Sequence, residues 1–133
     1  MYQLIYNLLS QEFMNDFFAD VAQVKKALKK MEKNIEALEK EYQEQLHKIA
    51  GSDKKAQQMV VDGLIDDISA TAREIQALLK KMADRTEREQ ADVGPAESPI
   101  RKNLHTTLIT KFTDTMQIYQ GLFNYIIGRG INQ

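Results

Sequence analysis

Residues 100–119 read IRKNLHTTLITKFTDTMQIY, and their apolar side chains recur every three or four positions. This spacing places them on one side of an α-helix, and that side must be buried. The members of the stripe are Ile100, Leu104, Leu108, Phe112, Met116 and Tyr119. Four more apolar residues lie outside it and make the arc wider than two neighbours require: Ile109, Ile118, Leu122 and Tyr125. We therefore expect this helix to receive another helix or to self-associate.

Two more amphipathic segments precede this helix. Apolar residues follow the same spacing from Phe13 to Ile49 without proline or glycine, which predicts a long helix of coiled-coil type over residues 11–50. Residues 51–53, Gly-Ser-Asp, combine a glycine stop with two candidate N-caps. A second helix is predicted over residues 53–89, with its apolar stripe at Val60, Leu64, Ile68, Thr71, Ile75, Leu79 and Met82.

The boundaries of the third helix follow from proline and glycine. Residues 91–98 lack periodicity and read as a loop, and Ser98 followed by Pro99 predicts an N-cap and a first helical residue. Gly128 and Gly130 predict an end near residue 127. Short connections favour antiparallel neighbours, so we expect an all-α, antiparallel up-down-up three-helix bundle over residues 11–127, with helices at 11–50, 53–89 and 99–127. Residues 1–10 form an N-terminal segment capable of extending the first helix, and residues 128–133 form a tail.

Length and composition exclude several classes of protein. The chain has 133 residues, enough for one domain, and its 18 basic against 19 acidic side chains leave a net charge of -1. This balance gives no global field to attract nucleic acid. The absence of cysteine removes disulfides and zinc-thiolate sites and suits a reducing compartment. No apolar run approaches the roughly 20 residues that span a bilayer, so we expect this chain, as given, to be soluble.

No motif for catalysis or for metal binding is complete. Glu44 and His47 match the Glu-x-x-His spacing of di-iron bundles, but the only other histidine, His105, follows Lys102 at that spacing. The serines lack the context of a nucleophile, and there is no glycine-rich phosphate loop. We therefore predict no catalytic, metal or cofactor site, no small-molecule substrate and no enzyme activity.

The first helix has a strongly patterned charge distribution. Three acids at four-residue spacing, Glu12, Asp16 and Asp20, precede a basic block of five lysines: Lys25, Lys26, Lys29, Lys30 and Lys33. A solvated face is the preferred interpretation, and a dedicated lipid or protein contact is the alternative.

Two stretches resemble a known family. One is residues 13–21, FMNDFFADV, with the apolar and Asn positions that follow to Leu38; the other is residues 100–119, above all the Ile-Arg-Lys start, His105, Lys111-Phe112 and Tyr119. Together with a compatible middle helix they resemble the N-terminal regulatory domain, Habc, of syntaxins, the membrane-fusion SNAREs, and most of all the plasma-membrane group. The apolar residues 122–127 and the lack of a basic N-terminal peptide depart from the family pattern.

The resemblance implies a fold and a function. Habc domains are three-helix bundles that precede a SNARE motif and a C-terminal membrane anchor, neither of which lies in this chain. The domain would bind the SNARE helix of its own parent chain between the second and third helices, and Sec1-family regulators would recognise this closed state. Carried onto this sequence, the partner-binding groove would be lined by residues drawn from the following set, some of which must fill the core instead: Leu64, Ile68, Ile75, Leu79, Leu108, Phe112, Thr115, Ile118, Tyr119 and Leu122.

Further expectations follow from the same resemblance. The parent would meet its cognate SNAREs in vesicle docking and exocytosis, at the cytosolic face of a membrane, with the plasma membrane favoured. The isolated domain would be a monomer. A structural coiled-coil or spectrin-like scaffold without SNARE function remains the alternative. We expect Ile118 to be partly exposed, so that a charged residue there weakens partner binding, and Phe112 to lie in the core.

Overall fold

The computed structural model describes residues 2–47 and 54–131, and nearly all of these residues are helical. The helices are α1 (Tyr2–His47), α2 (Lys54–Arg88) and α3 (Glu97–Ile131). No β-strand occurs in the described ranges. The predicted all-α helical bundle is confirmed.

Contacts between the helices fix their relative directions. Asp20, in the first half of α1, contacts Arg85 at the end of α2, so these two helices run antiparallel. Glu32 of α1 pairs with Lys111 of α3, and further along both helices Tyr42 packs against Tyr125, so α1 and α3 run parallel. The order is therefore up-down-up.

The core lies along the common axis of the three helices. Its centre is built from apolar side chains that are almost fully buried, because each stripe faces the other two helices. The residues with the least exposure are Phe17, Val24, Leu28, Met31, Leu38, Val61, Ile68, Ile75 and Met82. The stripe predicted for the first helix is confirmed from Phe17 to Tyr42, and Ile49 lies outside the described residues.

At two positions of the predicted apolar stripes, the buried residue is the next one along the chain. Val60 is exposed and Val61 is buried instead, and Ile100 is exposed while Arg101 is buried. One residue rotates the side chain by roughly 100° around a helix, so a three-four pattern can begin at either of two adjacent positions. The neighbouring helices decide which one is covered.

The first helix begins earlier than predicted. It starts at Tyr2, so residues 2–10 extend α1, as the sequence allowed. These residues contain no proline or glycine that could interrupt the hydrogen-bonded ladder. The predicted turn at residues 51–53 lies outside the described residues, and α2 ends at Arg88, one residue before the predicted end.

The helical hydrogen bonds of α3 start earlier in the chain than the predicted N-cap, Ser98, and first helical residue, Pro99. The carbonyl oxygen of Gly94 accepts hydrogen bonds from the backbone N–H groups of Glu97 and Ser98, both at 3.1 Å. The first helical turn therefore begins at Gly94. Pro95 follows it, in the position just inside a helix start that proline favours. Pro99 has no N–H to extend this pattern by one bond, and the regular helix is continuous from Glu97.

The end of α3 also differs from the prediction. The helix continues through Gly128 to Ile131, so residues 128–131 are not a tail. Glycine costs only about 1 kcal/mol in a helix interior relative to alanine, and a helix already held by its neighbours tolerates that cost. In the ranges 2–47 and 54–131, no helix is both long and apolar enough to cross a membrane.

Candidate partner-binding surface

The structure buries most of the predicted groove residues. Ile118 is 66% exposed and Leu64 and Leu122 are half-buried, as the apolar arc suggested. The other seven residues are buried: Ile68, Ile75, Leu79, Leu108, Phe112, Thr115 and Tyr119. They face the interior because they lie at the centre of their stripes, where two neighbouring helices cover them. An incoming helix could not contact these seven without opening the bundle.

Ile118 lies on the flank of α3 that faces α1, not on the flank that faces α2. Lys111, seven residues earlier, has its Nζ 3.7 Å from Oε1 of Glu32 in α1. Tyr125, seven residues later, stacks edge-on with Tyr42 of α1, with ring centroids 5.7 Å apart. Residues seven apart occupy nearly the same side of a helix. Ile118 therefore lies on the flank of α3 away from α2, whereas the resemblance implied a position in a groove between the second and third helices.

The opposite flank of α3 faces α2, and His105 identifies it. Its Nε2 lies 3.0 Å from the carbonyl oxygen of Leu79. Ile109 follows one helical turn after His105 and is 40% exposed. Met116 lies seven residues after Ile109, and Phe123 and Ile127 lie seven and eleven residues after Met116. All four residues therefore occupy the same flank of α3. Met116 and Phe123 are half-buried and Ile127 is exposed, so this flank has an apolar edge open to solvent.

The facing wall on α2 begins at Ile65. Ile65 is half-buried, and Ser69, one turn later, makes a hydrogen bond with the hydroxyl of Tyr119. Burial raises the pKa of Tyr119, the Ser69 hydrogen bond lowers it, and the negative charge of Asp66 raises it further. Close approaches between α2 and α3 are fewer than for either other helix pair. Helices α2 and α3 are therefore the least closely packed pair in the bundle. We call the surface formed by Ile65, Ile109, Met116, Phe123 and Ile127 the α2–α3 face.

Comparison with known protein families identifies the family of this chain. The family model described as Syntaxin matches residues 11–126, which takes in most of α1, the whole of α2 and most of α3. The chain belongs to the syntaxin family. Syntaxins are SNARE proteins and not enzymes, so a SNARE-related role in vesicle transport follows for this chain.

In this syntaxin-family domain a buried arginine secures the start of α3. Arg101 is 1% exposed, and its guanidinium lies over the ring of Phe17, 4.9 Å from the centroid. Its Nη2 donates a 2.8 Å hydrogen bond to the carbonyl oxygen of Phe13, and its Nη1 lies 3.3 Å from Glu89. Sequence reasoning assigned the stripe to Ile100 and missed Arg101, because arginine is rarely fully buried.

Charged side chains continue this cluster toward α2. Glu89 also contacts Arg85, at 3.5 Å, and Nε of Arg85 lies 3.0 Å from Oδ2 of Asp20. Lys81 approaches the other oxygen of Asp20 at 3.5 Å. The interpretation of Asp20 as part of a solvated face is therefore wrong, because α2 places two cations against it. The resulting cluster of Asp20, Arg85, Glu89 and Arg101 joins all three helices of the syntaxin-family bundle at one end.

The remaining polar candidates have no such organisation. Within the part of the chain that the structure describes, no group of three or more histidine, cysteine or acidic side chains is placed to hold a metal ion. The side chain of His47 lies outside the described residues, so the Glu44 and His47 pair is not tested.

Proposed function

We propose that this domain regulates a syntaxin by receiving the SNARE helix of its own parent chain on the α2–α3 face. The supporting observation is the exposed apolar edge of α3 that faces α2, formed by Ile109 and Ile127 with half-buried Met116 between them. An amphipathic helix presents apolar anchors that repeat after three, four and seven residues, and the steps of seven and four residues along this edge match that repeat.

The mechanism is a shift between a closed state, with the SNARE helix bound, and an open state. Fully burying an isoleucine side chain contributes about 1.5–3 kcal/mol, but Ile109 and Ile127 are only 40% and 43% exposed, so together they supply about 1–2.5 kcal/mol, to which their half-buried neighbours add. A bound helix shifts the equilibrium only by its preference for the closed state. An interaction of this size is weak enough to be released by competing SNAREs.

The family suggests the remaining partners. Sec1-family regulators recognise the closed molecule in this proposal, and cognate SNAREs bind the released helix. The parent acts at the cytosolic face of a membrane, with exocytosis at the plasma membrane as the favoured setting. We expect the isolated domain to be a monomer, because in this proposal the α2–α3 face accepts one SNARE helix and not a second copy of the domain.

Two exposed isoleucines on opposite flanks of α3 test this proposal. The SNARE-motif peptide of the parent is titrated into the domain, and binding is followed by calorimetry. We expect Ile109→Glu to weaken binding at least about tenfold, which corresponds to 1.4 kcal/mol. Ile118→Glu is the matched control, since Ile118 is exposed on the α1-facing flank, and its affinity should stay within about threefold.

The opposite result would reject the α2–α3 face. If Ile118→Glu removes binding and Ile109→Glu does not, the partner lies along α1 and α3 instead. Circular dichroism must show unchanged helix content in both variants. A scaffold without SNARE function, the alternative from sequence, predicts a tight dimer by light scattering and no binding of the SNARE peptide.

A further inference from the structure

The middle of α1 carries a concentrated positive charge. Lys25, Lys26, Lys29, Lys30 and Lys33 are all exposed, and none forms an ion pair with any residue in the ranges 2–47 and 54–131. Residues 25–33 contain these five lysines and one glutamate, a net charge of +4, whereas the remaining 13 basic and 18 acidic residues give -5. We call these five residues the lysine band.

The lysine band is unfavourable for the isolated helix. Lys25, Lys26 and Lys29 each have another lysine four residues later, and Lys26 and Lys30 each have one three residues later. Like charges at these spacings destabilise a helix. None of the five lysines lies within ion-pair distance of an acid in the described structure, and a local conflict of this kind is typical of a functional surface. A partner with negative charge would relieve the repulsion.

Apolar side chains lie on the same outward face of α1. Leu4 and Leu8 are exposed, as is Phe18, whose neighbour Phe17 is fully buried. Steps of three, four or seven residues connect Leu4, Leu8, Asn15, Phe18, Ala22, Lys26, Lys29 and Lys33, and all eight side chains are exposed. The core residues of α1 occupy the opposite side. From Leu4 to Lys33 this face is about 44 Å long, at 1.5 Å per residue.

We propose that the outward face of α1 docks on the surface of an anionic phospholipid bilayer. The lysine band pairs with the negatively charged headgroups, while Leu4, Leu8 and Phe18 enter the boundary with the acyl chains. Helices that lie on membranes combine lysines with exposed apolar residues, and lysines near an anionic bilayer are attracted to its headgroups. This inference does not depend on the proposed binding of a SNARE helix.

The shape of the face favours a bilayer over an acidic protein. The five lysines extend around about 140° of the circumference of α1, at 3.6 residues per turn, and their long side chains can all reach toward one plane. Beside them, a shallow depression between α1 and α2 is lined by Gln23, Lys26, Lys30, Lys33, Asn34 and also Glu74 of α2. Its cations and amide groups suit headgroup phosphates, and the long convex face beyond it offers no second wall for a helical partner.

Vesicle flotation tests the proposal with the full chain. We expect binding to phosphatidylcholine vesicles that contain phosphatidylserine, and none to phosphatidylcholine alone. Replacing Lys26, Lys29 and Lys33 with glutamine should weaken binding about a hundredfold, from the usual contribution of each lysine near an anionic surface. The matched control replaces Lys54, Lys55 and Lys80, which are also exposed and outside the band, with glutamine. It changes the net charge equally and should weaken binding less than about threefold.

Four results would overturn the proposal. The first is no binding to phosphatidylserine vesicles, and the second is an equal loss in both triple variants, which would indicate attraction without a defined face. The third is binding to poly-glutamate in place of vesicles, which would assign the lysine band to an acidic protein. Leu4→Ser combined with Leu8→Ser must also weaken vesicle binding, since undiminished binding would remove the start of α1 from the interface.

Discussion

The guanidinium of Arg101 lies 4.9 Å from the centroid of the Phe17 ring, inside the bundle where the start of α3 meets α1. The same side chain bonds to the carbonyl oxygen of Phe13 and to Glu89, so its charge is both paired and stacked. A cation in this position is stabilised by the ring and by its hydrogen-bond acceptors together. One residue thereby connects α1, the end of α2 and α3.

We predict that Arg101→Ala strongly destabilises the domain. Removing one partner of a buried charge pair leaves the other uncompensated and costs about 3–5 kcal/mol. Urea denaturation of the variant measures this loss. Arg101→Lys should recover only part of the stability, because lysine keeps the charge but lacks the planar fork. The neighbouring Lys102→Ala is the control, since Lys102 is exposed, and a loss equal to that of Arg101→Ala would contradict the prediction.

Asp20 and Asp16 should differ sharply in their contribution to stability. The side chain of Asp20 is 6% exposed and lies 3.0 Å from Arg85, whereas that of Asp16 is 57% exposed and 3.9 Å from the same residue. We expect Asp20→Ala to lower the free energy of unfolding by about 2–3 kcal/mol, since it leaves Arg85 and Lys81 without their shared acid. Asp16→Ala should change it by less than about 0.5 kcal/mol, as for exposed ion pairs. Equal losses in urea melts would contradict this difference.

Phe112 and Ile118 separate the core from the surface of α3. Phe112→Ala should cost about 3–5 kcal/mol, because the ring is buried and its removal leaves a cavity. Ile118→Glu should cost less than about 1 kcal/mol, since this side chain is 66% exposed. Urea melts of both variants measure the two changes. Unfolding by Ile118→Glu would show that the α1-facing flank is part of the core.

Buried tyrosines should make the domain less stable at high pH. Burial raises the pKa of Tyr42, an effect that the positive charge of Arg129 partly offsets and the Tyr125 phenol reinforces. Burial likewise raises the pKa of Tyr119 above the ordinary 10.0. The unfolded chain then releases these protons more readily than the folded one, so stability is full below pH 10 and falls as pH rises through the folded pKa values. Denaturation at increasing pH measures this fall, and the double variant Tyr42→Phe with Tyr119→Phe should reduce it.

Replacing Gly121 with alanine should stabilise the domain. Gly121 lies inside α3, and a Cβ added there would meet no atom within 4 Å. The gain should be about 0.5–1 kcal/mol, because alanine loses less backbone entropy on folding. Thermal melts provide the measurement. Gly94→Ala is the contrasting variant, since Gly94 lies before α3 and its Cβ would displace the Glu97 carboxylate, and it should not share the gain.

Part of the candidate surface could be predicted from sequence. The wide apolar arc of residues 100–127 correctly indicated exposed apolar residues, among them Ile109, Ile118 and Tyr125. The flank on which each residue lies could not be read from spacing, because residues on both flanks of one stripe satisfy the same three-four pattern. His105 against Leu79, and Lys111 against Glu32, were needed to separate the two flanks.

The amino-acid sequence alone determined that this chain is a bundle of long antiparallel helices of syntaxin type. The helical period and the positions of glycine and proline act over a few residues. They can therefore be read from the sequence without knowing which helices pack together. Only the tertiary structure decided that Arg101 and Asp20 are buried, because their partners are Phe13, 88 positions away, and Arg85, 65 positions away. Burial of a charge depends on which distant groups compensate it, and that choice is made when the helices pack.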